Sequence, residues 1–211
     1  MKDEYPGAGS GEMERREFLK LGGAGLAGAA VIGGGFAGAG RALAQDSGGG
    51  SLRREFEKAA TEYNVSVKVL IAMGYVNTRW EMPPPRTNAY DPGESEGRGT
   101  YGIMALVKNP TTDTLGDAAS LTGLPEGTLK TDRAANILGG AALLAEASEP
   151  VPESLDGLTE DLAAVRRGLN GSAVAGVGAG ELYVEQVIQT LQSGASKAIS
   201  TGERVTLAPV G

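Results

Sequence analysis

The chain has 211 residues, carries 19 Lys and Arg against 26 Asp and Glu, and contains no Cys and no His. The absence of both residue types excludes thiolate and imidazole metal sites, Cys nucleophiles, Ser-His-Asp triads and disulfides, so we expect no metal site and no cofactor. The net charge of −7 argues against nucleic acid as a partner, because no run of Lys and Arg is present to neutralise phosphates.

Residues 1–44 have the features of an export signal. Arg15 and Arg16 precede a Phe-Leu-Lys string, and then come twenty uncharged residues, of which nine are Gly and six Ala. A small-x-small cleavage site follows at residues 42–44. The segment resembles a twin-arginine signal, which implies export and a mature chain beginning at Gln45. Twenty uncharged residues also suffice for a transmembrane anchor, but Gly adds little apolar area, so we expect removal and no stable membrane anchor afterwards.

The rest of the chain is predicted to form one domain. Hydrophobic periodicity places it at residues 52–200, after a flexible lead-in at 45–51 and before an extended tail or truncated linker at 201–211. Because no segment shows sustained alternation, the predicted fold class is all-α. The predicted helices span residues 52–63, 66–77, 112–121, 131–147, 159–169 and 179–199.

Local signals predict where several of these helices begin and end. Ser66, and either Thr131 or Asp132, are predicted N-caps, and Gly123 is predicted to stop the third helix. Proline and glycine between the second and third helices predict a long loop over residues 81–99. Loops of that length in compact domains are often functional.

Three short strings have a distinctive order and spacing. They are residues 72–80 (AMGYVNTRW), 99–106 (GTYGIMAL) and 136–144 (NILGGAALL). Together they resemble the lysozyme-like domain of soluble lytic transglycosylases, whose helix end, Gly-x-x-Gly turn and Asn-Ile helix start follow in this order. The resemblance implies a lysozyme-like helical fold with a long cleft-bordering loop. It also implies peptidoglycan glycan strands as the partner.

The resemblance places Asn77 at the catalytic position. The family has a Glu there, which protonates the glycosidic oxygen and can do so because burial raises its pKa. Asn donates hydrogen bonds but has no proton to give, and losing a general acid removes roughly two to four orders of magnitude in rate. Thr78 follows where the family has Ser, so the hydroxyl is kept. We therefore expect cleavage to be lost.

Other acids are candidates for a relocated catalytic group. Glu81 lies one helical turn beyond Asn77, roughly 5 to 6 Å away, and is the substitute acid that the sequence offers. Asp91, Glu94 and Glu96 lie in the long loop, where clustered acids are more often solvated charge.

Five residues are candidates for glycan binding besides Thr78. Aromatic faces suit the C–H faces and hydroxyls of sugars, which favours Trp80, Tyr90 and Tyr101, the last two being expected to be exposed. Trp80 is equally compatible with covering a helix end. Met104 is predicted to pack under the cleft floor, and the resemblance implies that Asn136 supports the cleft.

A second resemblance covers the whole mature chain. Residues 159–171 and 203–207 extend the similarity to the region that precedes the catalytic domain of exported bacterial N-acetylmuramoyl-L-alanine amidases. The amidase domain of that family holds zinc largely through histidines, which this chain lacks, so amide cleavage by that mechanism is not expected. The chain is then either a free-standing relative of that front region or a fragment.

Three interpretations of function follow. The first is an exported domain that binds peptidoglycan glycan strands without cutting them. The second is an active lytic transglycosylase or lysozyme with a relocated acid. The third is a non-catalytic scaffold for a separate cell-wall amidase.

Overall fold

The computed structural model describes residues 51–93, 99–147, 155, 158–170 and 180–210. The predicted export signal, nearly all of the predicted lead-in, and the loop acids Glu94 and Glu96 lie outside these residues.

The described residues are mostly helical, which confirms the coarse fold class. The helices are α1 (Ser51–Tyr63), α2 (Val67–Thr78), α3 (Thr114–Thr122), α4 (Glu126–Thr131), α5 (Arg133–Ala145), α6 (Leu158–Asn170) and α7 (Gly180–Ser193). The short helix α4 was not predicted, and the all-α prediction missed two small antiparallel hairpins. Their strands are β1 (Thr100–Tyr101) with β2 (Leu106–Val107), and β3 (Ala195–Ala198) with β4 (Arg204–Leu207).

Two of the predicted helix caps act as the sequence signals indicate, and a third occupies its position without a capping hydrogen bond. Asp132 accepts a hydrogen bond from the amide of Ala135 and so caps α5, which decides between the two predicted candidates. Gly123 ends α3 in the left-handed conformation, with φ at 69°. Ser66 holds the N-cap position of α2, but its hydroxyl makes no capping hydrogen bond.

The core joins all of these elements. Helix α1 packs on α5 and α2, α3 packs on α5, and α2 packs on α7. Gly74 in α2 permits close packing, because a Cβ there would approach the Phe56 ring to 2.9 Å. Trp80 is fully buried just beyond the end of α2, where Arg79 and Trp80 both have positive φ and turn the chain back. No helix in the described part of the chain is both long and apolar enough to cross a bilayer.

The C-terminal segment differs from the sequence expectation. Helix α7 ends at Ser193 rather than near residue 199, because Gly194 adopts a φ of 69° and redirects the chain. The predicted tail contributes β4, which pairs with β3 from Ala195 opposite Leu207 onward. Val205 is buried in the common core. The predicted helix end was therefore wrong, and these residues are part of the domain.

The hairpin also caps the first helix. The carboxylate of Glu203 accepts hydrogen bonds from the amide of Leu52 at 3.1 Å and from the hydroxyl of Ser51 at 3.1 Å. A carboxylate at a helix N-terminus satisfies otherwise unpaired N–H groups and interacts favourably with the helix dipole. The two ends of the described domain are thus held together.

Two neighbouring residues of β4 test whether the hairpin is packed into the core. Val205 is buried, whereas Thr206, which is nearly isosteric with it, is exposed on the opposite face. We expect Val205→Ala to lower the free energy of unfolding by about 2 kcal/mol, because it removes buried methyl groups and leaves a cavity. Thr206→Ala is the matched control, with an expected loss under about 0.5 kcal/mol. Urea unfolding measures both, and equal effects would contradict a packed hairpin.

Candidate functional site

The site is built around the turn between β1 and β2. Gly102 and Ala105 both have positive φ, at 71° and 52°, and the amide of Ala105 donates to the carbonyl of Gly102 at 3.1 Å. A Cβ at position 102 would overlap the Asn136 carboxamide. Glycine is therefore required there both by its backbone conformation and by the space available.

Asn136 holds this turn from the first turn of α5. Its Nδ2 donates to the carbonyl oxygens of Tyr101 at 3.1 Å and Leu129 at 2.9 Å, and its Oδ1 accepts from the amide of Met104 at 2.8 Å. The side chain is completely buried. Its inclusion among glycan-contacting residues was therefore wrong, while the supporting role that the resemblance implies fits these contacts.

The end of α2 approaches the same turn. Asn77 Nδ2 donates to the carbonyl of Met104 at 3.0 Å, and Thr78 Oγ1 donates to the carbonyl of Ile103 at 3.2 Å. Both side chains are half-buried. The three strings singled out in the sequence thus meet at one place, joined by hydrogen bonds between side chains and the backbone of the turn.

A pocket of about 190 Å³ opens beside Asn77. The side chain of Met104 lies in its wall and is only 3% exposed, so most of it packs against the protein rather than facing the open pocket. None of the described residues that line the pocket carries a charge. They are Asn77, Thr100, Met104, Ala105, Leu106, Thr114 and Tyr183.

Tyr183 is the site residue that the sequence did not reveal. It lies in α7, and the apolar periodicity of this segment predicts only a helix that packs on the core, not a residue at a site. Its hydroxyl is buried and has no hydrogen-bond partner of standard geometry among the described residues. Burial raises the pKa of Tyr183, and the nearby amide of Asn77 opposes this shift only in part. The pocket therefore contains a buried, neutral hydroxyl beside the carboxamide of Asn77.

The surroundings of Glu81 do not suit a general acid. Its carboxylate accepts hydrogen bonds from Lys197 Nζ at 2.8 Å and from the amide of Ser200 at 3.1 Å, and these bonds lower its pKa. A general acid needs a raised pKa, so the substitute role predicted for Glu81 is opposed by its surroundings. Because its pKa is lowered in the fold, ionised Glu81 stabilises the fold at neutral pH, and this contribution is lost as the pH falls through that pKa.

The predicted aromatic contacts divide into buried and exposed residues. Trp80 is fully buried and donates from Nε1 to the carbonyl of Ile71 at 2.8 Å, so its prediction as a glycan contact was wrong. Tyr101 is only 8% exposed and lies under the ammonium of Lys130, 4.5 Å from the ring centroid, so the expectation of exposure was wrong for it as well. The hydrophobic core and a cation–π contact account for the two rings.

Tyr90 alone of these three aromatic residues is exposed, at 37%. It lies on the loop that follows α2, and its Cβ is 3.2 Å from where a Cβ at Gly99 would sit. Gly99 immediately precedes Thr100, which lines the pocket. Tyr90 does not line the pocket itself, but it is exposed and lies next to the residue that precedes the pocket-lining Thr100.

No family model, no curated protein and no solved structure matches this chain. The functional argument accordingly depends on the residues and on their arrangement around the pocket.

Proposed function

We propose that this chain is an exported, lysozyme-like protein that binds peptidoglycan glycan strands and has lost glycosidic cleavage. The observation that carries the proposal is the convergence of the three strings, residues 72–80, 99–106 and 136–144, on one pocket with Asn77 in its wall. These strings lie far apart in the sequence, and nothing in their local helix and turn signals requires them to meet.

The chemistry of the pocket supports binding rather than cleavage. General acid catalysis needs a group that can deliver a proton near the working pH. Asn77 cannot titrate, the raised pKa of Tyr183 keeps its proton bound, and Glu81 is held ionised by Lys197. The described residues at the pocket instead offer amide and hydroxyl groups beside apolar side chains, the combination by which proteins recognise small polar ligands.

The exposed ring of Tyr90 supports a sugar as the ligand. An aromatic face beside a polar pocket presents apolar area to the C–H face of a sugar while the pocket receives its polar substituents. The pocket volume of about 190 Å³ suits one part of a sugar residue better than a large compact ligand, so the rest of an extended strand would lie along the surface.

Co-sedimentation with purified peptidoglycan sacculi tests the proposal. The purified chain is expected in the pellet with sacculi and in the supernatant without them. Tyr90→Ala is expected to weaken binding about fivefold, since aromatic contacts of this kind contribute on the order of 1 kcal/mol. A chain that stays entirely in the supernatant would overturn the proposal.

Leu182→Ala is the matched control for non-specific adhesion. Leu182 and Tyr90 are the two large apolar side chains that are exposed among the described residues, and Leu182 is the more exposed at 69%. If sacculi retained the chain through general surface hydrophobicity, Leu182→Ala would weaken binding at least as much as Tyr90→Ala. We expect it to leave binding unchanged.

A further inference from the structure

The chain has no Cys, so the sulfur that an oxidant can attack is confined to its five Met residues. Three of these lie in the part of the chain that the structure describes. Met73 and Met104 are 0% and 3% exposed, whereas Met82 is half-buried and packs against the hydrophobic core. A small solute such as hydrogen peroxide can therefore reach Met82, while the core protects the other two.

Met82 attaches the loop that carries Tyr90 to the rest of the domain. This loop comprises residues 82–93, all of which the structure describes, and Met82 is its only non-proline side chain that packs against the hydrophobic core. The residue before it, Glu81, is fixed by hydrogen bonds from Lys197 and from the amide of Ser200. The loop therefore departs from a fixed point at Met82.

A change at Met82 reaches Tyr90 through a stiff segment. Residues 83–85 are three consecutive prolines, whose fixed φ restricts bending. Beyond them the carbonyl of Asn88 accepts a hydrogen bond from the amide of Thr100 at 3.2 Å, and the aromatic ring lies two residues further along. Displacement of Met82 is therefore passed along the prolines to this ring.

Building on the proposed function, we propose that Met82 is an oxidation site that controls glycan binding through the position of Tyr90. The sulfur of Met82 attacks a peroxide oxygen, the S–O bond forms as the O–O bond breaks, and the displaced oxygen leaves as water. The sulfur loses two electrons and the peroxide gains them. The resulting sulfoxide is polar and disfavours burial against the core, so the loop is displaced and Tyr90 leaves the position in which it contacts the glycan.

Mild treatment of the full chain with hydrogen peroxide tests the site. Peptide mapping by mass spectrometry should find one added oxygen on Met82 before Met73 or Met104 reacts. Co-sedimentation with sacculi is expected to weaken about fivefold, the same loss as in Tyr90→Ala, because oxidation acts through that ring. Reduction by methionine sulfoxide reductases of both stereospecificities, with a thiol reductant, should restore binding.

Met82→Leu is the matched control, since leucine is apolar and of similar volume but carries no sulfur. It should bind sacculi as the native chain does and keep that binding after peroxide treatment, although Met1 and Met13 are still present in it. A loss of binding as large in Met82→Leu as in the native chain would overturn the assignment to this residue.

Peroxide treatment of Tyr90→Ala separates loop displacement from a general loss of stability. If the sulfoxide acts through Tyr90, oxidation should cause no further loss of binding in this variant, since the effects of coupled residues do not add. A further loss of similar size would overturn this coupling.

The outcomes distinguish the inference from the proposed function. Slower oxidation of Met82 than of Met73 or Met104, or undiminished binding after Met82 is oxidised, would overturn the inference and leave the proposed function in place. Failure of the untreated chain to bind sacculi would overturn both.

Discussion

Replacing Asn136 by alanine is expected to lower the free energy of unfolding by about 3 kcal/mol or more and to abolish binding at the pocket. The substitution removes three buried hydrogen bonds and leaves the amide of Met104 and the carbonyls of Tyr101 and Leu129 without their partner. The turn from Gly102 to Ala105 would lose the group that holds it against α5. Urea unfolding and co-sedimentation with sacculi measure the two effects.

Asn170→Ala provides the control for Asn136→Ala. Asn170 lies exposed at the end of α6, so the same chemical change is expected to cost under about 0.5 kcal/mol and to leave binding intact. If Asn136→Ala lowered the free energy of unfolding no more than Asn170→Ala does, the turn would not depend on the side chain of Asn136.

Much of the helical structure could be predicted because its signals are local. Asp132 and Gly123 act as caps through interactions with residues within four positions, and the long helices carry clear apolar periodicity. The hairpin of β3 and β4 could not be predicted this way. Its strands have four residues each, too few for alternation to be recognised, and the sequence pattern of α7 was extended past Gly194 to residue 199.

The candidate site was predicted in part, for a similar reason. The resemblance of the three strings brought Asn77, Met104 and Asn136 together, whereas Tyr183 reaches the pocket only because α7 packs on α2. The prediction of Trp80 as a glycan contact failed for a different reason. An aromatic residue at a helix end is equally compatible with a ligand contact and with the core, and only the left-handed turn at Arg79 and Trp80 directs that indole inward.

If the proposed function is correct, Asn77→Glu is expected to create glycosidic cleavage that the native chain lacks. A protonated Glu at this position has the carbonyl of Met104 as an acceptor, since Asn77 Nδ2 already donates to it at 3.0 Å. This hydrogen bond and half-burial beside Tyr183 both favour the neutral acid and so raise its pKa towards the working range. Release of muropeptides from sacculi, followed by mass spectrometry, should rise by roughly two to four orders of magnitude over the native background.

Asn77→Gln tests whether cleavage requires the acid proton of Glu or only its longer side chain. It has the same number of heavy atoms as Asn77→Glu and keeps a donor for the carbonyl of Met104, but it cannot deliver a proton, so we expect no products from it. Products from both the native chain and Asn77→Gln would contradict the loss of cleavage and would support a relocated acid. Because Glu81 is held ionised by Lys197, that acid would have to be sought among the loop residues Asp91, Glu94 and Glu96.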